Sequence, residues 1–297
     1  MPRGLQEYAD RGPGWAGWID RLPRLTRELL GEWSLTLDGE AGHGRTALVL
    51  PVRTADDRPA MLKIGWPHPE AEHEALALQH WHGHGAVPLL KADPHRWALL
   101  LERLGPEDLT EQWDVRACEI VGALYRRLHV PAPAQLRRLS GRARRWAEEL
   151  GDLPRAAPLP RRMVEQAGSL ARDFASDEAT DGALVHTDLH FENVLAGPGG
   201  AEDTWLAIDP KPLSGDPHYE LAPMLWNRSD EYAGRERDAI RDRFFALVDA
   251  AELDEDRARG WVIVRVLVAL KDELLGDTVP GRGWTSMMLT VLKAVQD

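Results

Sequence analysis

The hydrophobic pattern of this chain changes period near Leu104, and that change limits the folds open to it. Before that point, short alternating runs predict strands over Ser34–Asp38, Thr46–Val52 and Ala60–Ile64, then a hairpin from Val87–Ala92 and Trp97–Leu101. Two helical patterns interrupt them. One covers residues 14–32, with Trp15, Trp18, Ile19, Leu22 and Leu25 at helical spacing. The other covers Glu70–His84, opened by Pro67-His68-Pro69, with Ala71, Ala75, Leu78 and His82 on its expected apolar face. After Leu104 the period is that of helices: Cys118–His129, Ser140–Leu150, Arg161–Phe174, Arg235–Glu252, Asp254–Leu275 and Trp284–Val295. One β interruption remains, Ala183–Val185 and Trp205–Ile208, expected to join across Gly197–Gly200. The pattern predicts an α+β chain in two domains. Residues 1–104 form a small antiparallel sheet with one key helix, and residues 105–297 a larger, mainly helical part.

The β interruption carries the most informative residues. His186-x-Asp188 follows the apolar run Ala183–Val185, Asn193 comes five residues after Asp188, and Asp209 ends the apolar run Trp205–Ile208. Phosphoryl transfer asks little covalent help of a protein. It needs a carboxylate to receive the proton of the attacking hydroxyl, and oxygen ligands for a Mg²⁺ ion on the nucleotide phosphates. Asp188 suits the first task as catalytic base, and Asn193 with Asp209 the second. An Asp-rich turn is the plainer alternative, but it does not explain the spacing together with the second strand-terminal Asp. His186 reads as a residue that fixes the loop.

Upstream, Lys63 lies in the apolar strand Met61-Leu-Lys-Ile64 and points opposite to Leu62 and Ile64. A lysine there needs a partner. Glu74 falls on a stripe with Glu70, Ala77 and Trp81, whereas Glu72 points elsewhere on the helix. Such a pair holds nucleotide phosphates in kinases. The segment Gly39–Thr46 places Gly42 and Gly44 between two strands, where backbone N–H groups can cover phosphates. It fails as a P-loop, because Arg45 stands where that motif requires Lys and a strand follows. Glu102 and Leu104 sit where a hinge would offer backbone groups to adenine.

The net charge of −12 argues against nucleic acid as partner and is compatible with a cationic small molecule. No apolar run approaches the ~18 residues of a membrane span, and the N-terminus has no secretory h-region. Cys118 is the only cysteine, in an apolar-periodic stretch that predicts a buried thiol. Together these predict a cytoplasmic chain; a monomer or weak dimer is expected, although nothing in the sequence fixes the oligomeric state. The alternating His80, His82 and His84 do not share a helix face and do not read as a metal site.

The segments MLKIGWPHPEAEHEA, HTDLHFENVL and WLAIDPKPLSGDP resemble the aminoglycoside phosphotransferases, nearest the branch of streptomycin 6-kinases and hydroxyurea phosphotransferases. The resemblance implies a bilobal protein-kinase-like fold, ATP and Mg²⁺ as cofactors, and O-phosphorylation of an antibiotic hydroxyl. It assigns Asp188 as base, Asn193 and Asp209 to Mg²⁺, and Lys63 with Glu74 to ATP. Thr187 in place of Arg, and Pro210-Lys211 in place of Phe-Gly, set the chain apart from protein kinases and favour a small-molecule acceptor. Acidic residues expected at a cationic substrate are Asp216, Glu220, Asp272 and Glu273, although Asp216 also reads as a helix cap and Glu220 stands where Asp is usual in this branch. A kinase of another small molecule, and a nucleotide-binding regulator without activity, are the alternatives. The complete set of Lys63, Asp188, Asn193 and Asp209 opposes the latter.

Overall fold

The structure, a computed structural model, describes residues 2–199, 201–229, 234–275 and 282–296. The chain divides into two compact units. One holds residues 1–106 and 196–204, and the other holds 107–195 and 205–297. The first boundary lies two residues beyond the expected Leu104, and the tip of a later hairpin belongs to the first unit.

In the first unit the short α1 (Arg3–Gln6) precedes α2 (Pro13–Glu32). Pro13 stands in the first turn of α2, where a missing N–H does no harm. The strands are β1 (Thr36–Leu37), β2 (Gly42–His43), β3 (Ala47–Arg53), β4 (Pro59–Gly65), β5 (Leu89–Asp93) and β6 (Ala98–Glu102). They form one antiparallel sheet in the order β1-β3-β4-β6-β5, with β2 also on β3. Alternation in β4 buries Ala60, Leu62 and Ile64 in one core with Leu48, Leu50, Val52 and Leu100 and with Trp18, Leu22 and Leu29 of α2. Each large apolar side chain so buried contributes roughly 1.5–3 kcal/mol.

The helix after β4 is shorter than its sequence pattern. Pro69–Ala71 is a 3₁₀ turn, and α3 runs only over Glu74–Trp81. It stops because His82 adopts the left-handed conformation at φ 48°, followed by Gly83 at φ 80°. Its buried face is Glu74, Ala77, Leu78 and Trp81, so the expected face of Ala71, Ala75 and His82 is corrected. The neighbouring stripe containing Glu74 points inward instead, because the bulk of Trp81 outweighs the small alanines. His80, His82 and His84 are exposed.

The second unit contains α4 (Asp114–Leu128), α5 (Leu139–Gly151), α6 (Arg161–Ser176), α7 (Ala222–Trp226), α8 (Glu236–Ala251), α9 (Glu255–Leu275) and α10 (Arg282–Ala294). α5 packs on α6, α4 on α8, and α9 on α6. α9 buries residues around most of its circumference, among them Trp261, Val264, Leu267 and Leu270, as a central helix must. α4 and α8 approach closely at Gly122, where an added Cβ would stand 2.5 Å from that of Ala250. Cys118 is buried in α4, and burial pushes its thiol pKa up to about 12.

The remaining strands are β7 (Ala183–Val185), β8 (Val194–Gly197), β9 (Ala201–Ala207) and β10 (Leu213–Gly215). They pair as β7 with β10 and β8 with β9. Ala183–Val185 therefore does not join the run ending at Ile208, as expected from sequence. The four-residue β8 is too short for its alternation to stand out from a loop, yet it takes the place beside β9. Gly200, in the expected turn, lies outside the described residues.

Candidate active site

Asp188 lies on the loop that leaves β7, and the two residues before it, His186 and Thr187, are tied down. His186 is fully buried. Its Nε2 donates to the Ile208 carbonyl at 2.9 Å, and its Nδ1 accepts the Asp188 N–H at 3.3 Å. That pairing assigns the neutral tautomer, and burial pushes the pKa below the ordinary histidine value. The next residue, Thr187, holds φ 67°, a left-handed conformation that is costly for a β-branched residue, on the order of 1–3 kcal/mol. Four bonds hold it or its neighbour there. The N–H groups of His186 and Thr187 donate to the two carboxylate oxygens of Glu220 at 2.5 and 2.9 Å. Thr187 Oγ1 donates to the Lys211 carbonyl at 2.7 Å, and the Thr187 carbonyl accepts from Arg265 Nη2 at 2.8 Å.

Asn193 ends a 3₁₀ turn, Phe191–Asn193, and reaches back so that its Nδ2 donates to the Asp188 carbonyl at 2.8 Å. With the amide nitrogen so engaged, its oxygen is the atom suited to a cation. The Asn193 carbonyl accepts the Ile208 N–H at 2.9 Å, which brings the end of β9 alongside. Asp209 follows at φ 55°, also left-handed. Lys211 then binds both acids, its Nζ donating to Asp188 Oδ2 at 2.6 Å and to Asp209 Oδ2 at 3.1 Å. Burial alone would lower the Lys211 pKa, but the two carboxylates outweigh it and hold it above the ordinary value.

Two loops, one between β7 and β8 and one between β9 and β10, thus gather Asp188, Asn193 and Asp209. Among the described residues no group of three or more His, Cys, Asp or Glu is arranged for a metal. A site of one carboxylate and one amide fits Mg²⁺, which keeps several waters and takes further oxygens from substrate phosphates.

In the first unit, Lys63 Nζ lies 2.6 Å from Glu74 Oε1, with side-chain exposures of 12% and 7%. β4 turns Lys63 away from Leu62 and Ile64, as alternation requires, and α3 supplies the acid from its first turn. Gly42 pairs with Val49 in β2, while the Gly44 N–H donates to the Ala47 carbonyl in the exposed turn. That N–H is therefore already engaged. Glu102 ends β6. Its N–H donates to the Pro88 carbonyl, its carboxylate accepts from Arg58 at 2.6 Å, and Leu104 follows it half-buried.

The four acids expected at a substrate have different surroundings. Glu220 is fully buried and holds the loop that carries Asp188, with His129 Nε2 3.5 Å from its Oε1. Burial would raise its pKa, but His129, His186 and the backbone bond from His186 prevail and hold it below the usual carboxylate range. Asp216 is buried as the cap of the turn Pro217–Leu221. It accepts from His218, Arg257 and Trp261 at 2.6 Å each. Asp272 is exposed beside Lys271, and Glu273 is half-buried next to it. Among the described residues no hydrogen bond joins either to the loop of Asp188. Sequence reasoning did not assign roles to Lys211, Arg265 or His129. For Lys211 the available signal was a lysine two positions beyond the strand-terminal Asp209.

Residues 32–271 match the family described as aminoglycoside/hydroxyurea antibiotic resistance kinase. The chain is 38% identical over 261 residues to a streptomycin 6-kinase of Streptomyces glaucescens, covering 84% of this chain and 82% of that one. It is 40% identical over 280 residues to a hydroxyurea phosphotransferase of Kitasatospora aureofaciens, covering 90% and 78%. Among solved structures, a choline/ethanolamine kinase family protein from Mesorhizobium loti superposes with a TM-score of 0.61 at 17% identity, over 92% of this chain and 95% of that one. The fold is protein-kinase-like.

Proposed function

The chain belongs to the aminoglycoside/hydroxyurea antibiotic resistance kinase family, and from that premise we propose that it transfers the γ-phosphoryl group of ATP to a hydroxyl of a streptomycin-like aminoglycoside. In this reading Asp188 receives the proton of the acceptor hydroxyl as its oxygen forms the new bond to phosphorus. The bond from phosphorus to the bridging oxygen breaks, and its electron pair leaves with ADP. Asp209 and the Asn193 amide oxygen would hold Mg²⁺, which supplies charge neutralisation at the phosphates. Lys63, fixed by Glu74, binds the nucleotide phosphates. An acidic chain with net charge −12 suits a cationic acceptor. We place the enzyme in the cytoplasm, where ATP is at hand; no described helix is long and apolar enough to cross a membrane.

The observation that carries this reading is the meeting of Asp188 and Asn193, from the loop between β7 and β8, with Asp209 and Lys211, from the loop between β9 and β10. The test is a coupled ADP-release screen over aminoglycosides, hydroxyurea, peptide antibiotics and simple sugars. Streptomycin should stimulate ADP release, and Asp188→Ala should lower it ~10²–10⁴-fold. Higher turnover with hydroxyurea or a sugar would reassign the acceptor. Nucleotide binding without ADP release on any acceptor would favour a regulatory role instead.

A further inference from the structure

Lys211 stands where two acids with different tasks meet. Its backbone leaves it little choice of position. Pro210 fixes the preceding φ, the Lys211 N–H donates to the His186 carbonyl at 2.9 Å, and its own carbonyl accepts Thr187 Oγ1 at 2.7 Å. Lys211 is thus bonded through N–H and carbonyl to the loop that presents Asp188. Its side chain is 20% exposed and ends on Asp188 Oδ2 and Asp209 Oδ2. Among the described residues no hydrogen bond reaches Asp188 Oδ1.

We propose that Lys211 is a positioning residue with two linked effects. It pins Asp188 through Oδ2 so that Oδ1 faces the acceptor hydroxyl, and it occupies Asp209 as a cation that the incoming divalent ion must displace. The inference rests on the reading of Asp188 as the base. In the transfer the acceptor O–H bond breaks and its proton goes to Asp188 Oδ1, the oxygen forms its bond to phosphorus while ADP leaves with the electron pair of the bridging bond, and the Lys211 ammonium keeps all its protons. The shorter bond, to Asp188, persists when a cation reaches Asp209. The longer one, to Asp209, yields, because two positive charges cannot share that carboxylate without repulsion.

A purely structural lysine and a positioning lysine predict different things. Replacing it by a neutral residue removes a competing charge from Asp209 and releases Asp188. The experiment compares wild type, Lys211→Met, Lys211→Arg and Asp188→Asn. It measures Mg²⁺ titration by calorimetry in the presence of a non-hydrolysable ATP analogue, steady-state kinetics and thermal unfolding. For Lys211→Met, kcat should fall ~10²-fold with the acceptor KM within about threefold of wild type. Mg²⁺ should bind roughly tenfold tighter or more, since a like charge has gone. Lys211→Arg keeps the charge and should restore wild-type Mg²⁺ affinity and part of kcat. The proposal is overturned by unchanged kcat in Lys211→Met. It is equally overturned by unchanged or weaker Mg²⁺ binding, or by a joint loss of kcat and melting temperature that Arg does not repair. If Lys211→Met does not fold, Lys211→Gln gives the same discrimination, having lost the charge but kept hydrogen-bonding capacity. Asp188→Asn separates the two readings. Turnover retained in Asp188→Asn removes the base assignment itself. Turnover lost there but kept in Lys211→Met removes only the role of Lys211.

Discussion

Glu220→Gln is the perturbation that most directly probes how the loop carrying Asp188 is held. The carboxylate accepts two backbone N–H groups, from His186 at 2.5 Å and Thr187 at 2.9 Å, in a fully buried setting. Glutamine has one carbonyl oxygen, and its NH₂ cannot accept, so one buried N–H loses its partner at ~1–3 kcal/mol. The surviving bond loses its charge assistance, on the order of 1 kcal/mol. Removing a buried charge returns part of this by easing desolvation. The net expectation is a loss of ~1–3 kcal/mol, a fall in melting temperature of roughly 2–5 °C for a chain of 297 residues. The effect on turnover has a separate cause. Thr187 at φ 67° is held in place by these bonds, and once released it relaxes and carries Asp188 with it. A displacement near 1 Å lowers turnover by about 10²-fold. Thermal unfolding and steady-state kinetics on the same preparation measure both. The pH dependence gives a further check. The Glu220 pKa is depressed in the folded chain, so its stabilisation is present above the unfolded value and is lost as pH falls through the folded one. The gap between wild type and Glu220→Gln should therefore close in acid. A melting temperature within about 1 °C of wild type and turnover within about twofold would refute the account, given the sizes expected above.

Asp209→Ala should abolish Mg²⁺-supported ADP release, and turnover near wild type with Mg²⁺ would contradict its assignment to the metal. His186 is held neutral by burial, with a folded pKa below the ordinary ~6.5. The unfolded chain takes up a proton there that the folded one refuses. Thermal stability should thus be full above pH ~6.5 and decline as pH drops from there to the folded value, by up to ~1.4 kcal/mol per unit; His186→Gln should flatten that decline. Cys118, with its thiol pushed up to about 12, should resist thiol reagents in the native protein at pH 8 and react only on unfolding. Lys63→Met should raise the KM for ATP and lower kcat, because the nucleotide phosphates lose the ammonium proposed to bind them; unchanged ATP kinetics would remove the pair from nucleotide binding.

Much of this protein was legible along the chain because it is local. Alternation in β4 placed Lys63 opposite Leu62 and Ile64 without reference to any distant residue. The interval from Asp188 to Asn193 is short enough for one loop to close on itself. Where the pattern misled, the cause was competition between neighbours. On α3 two adjacent stripes were available, and only packing chose the one with Trp81. At β8 four residues were too few to announce a strand, so the partner of β9 was missed. The acids show the limit most clearly. As letters, Glu220, Asp216 and Asp272 are alike. Chain segments more than 25 residues away bury the first under the catalytic loop and the second under Arg257 and Trp261, and leave the third in solvent. The sequence by itself determined which chemical groups are present and the short-range geometry that makes a phosphotransferase loop. Tertiary structure alone decided which carboxylates meet at Lys211 and which hold the frame. A carboxylate's role depends on the donors and the dielectric around it, and both are set by residues remote in the chain.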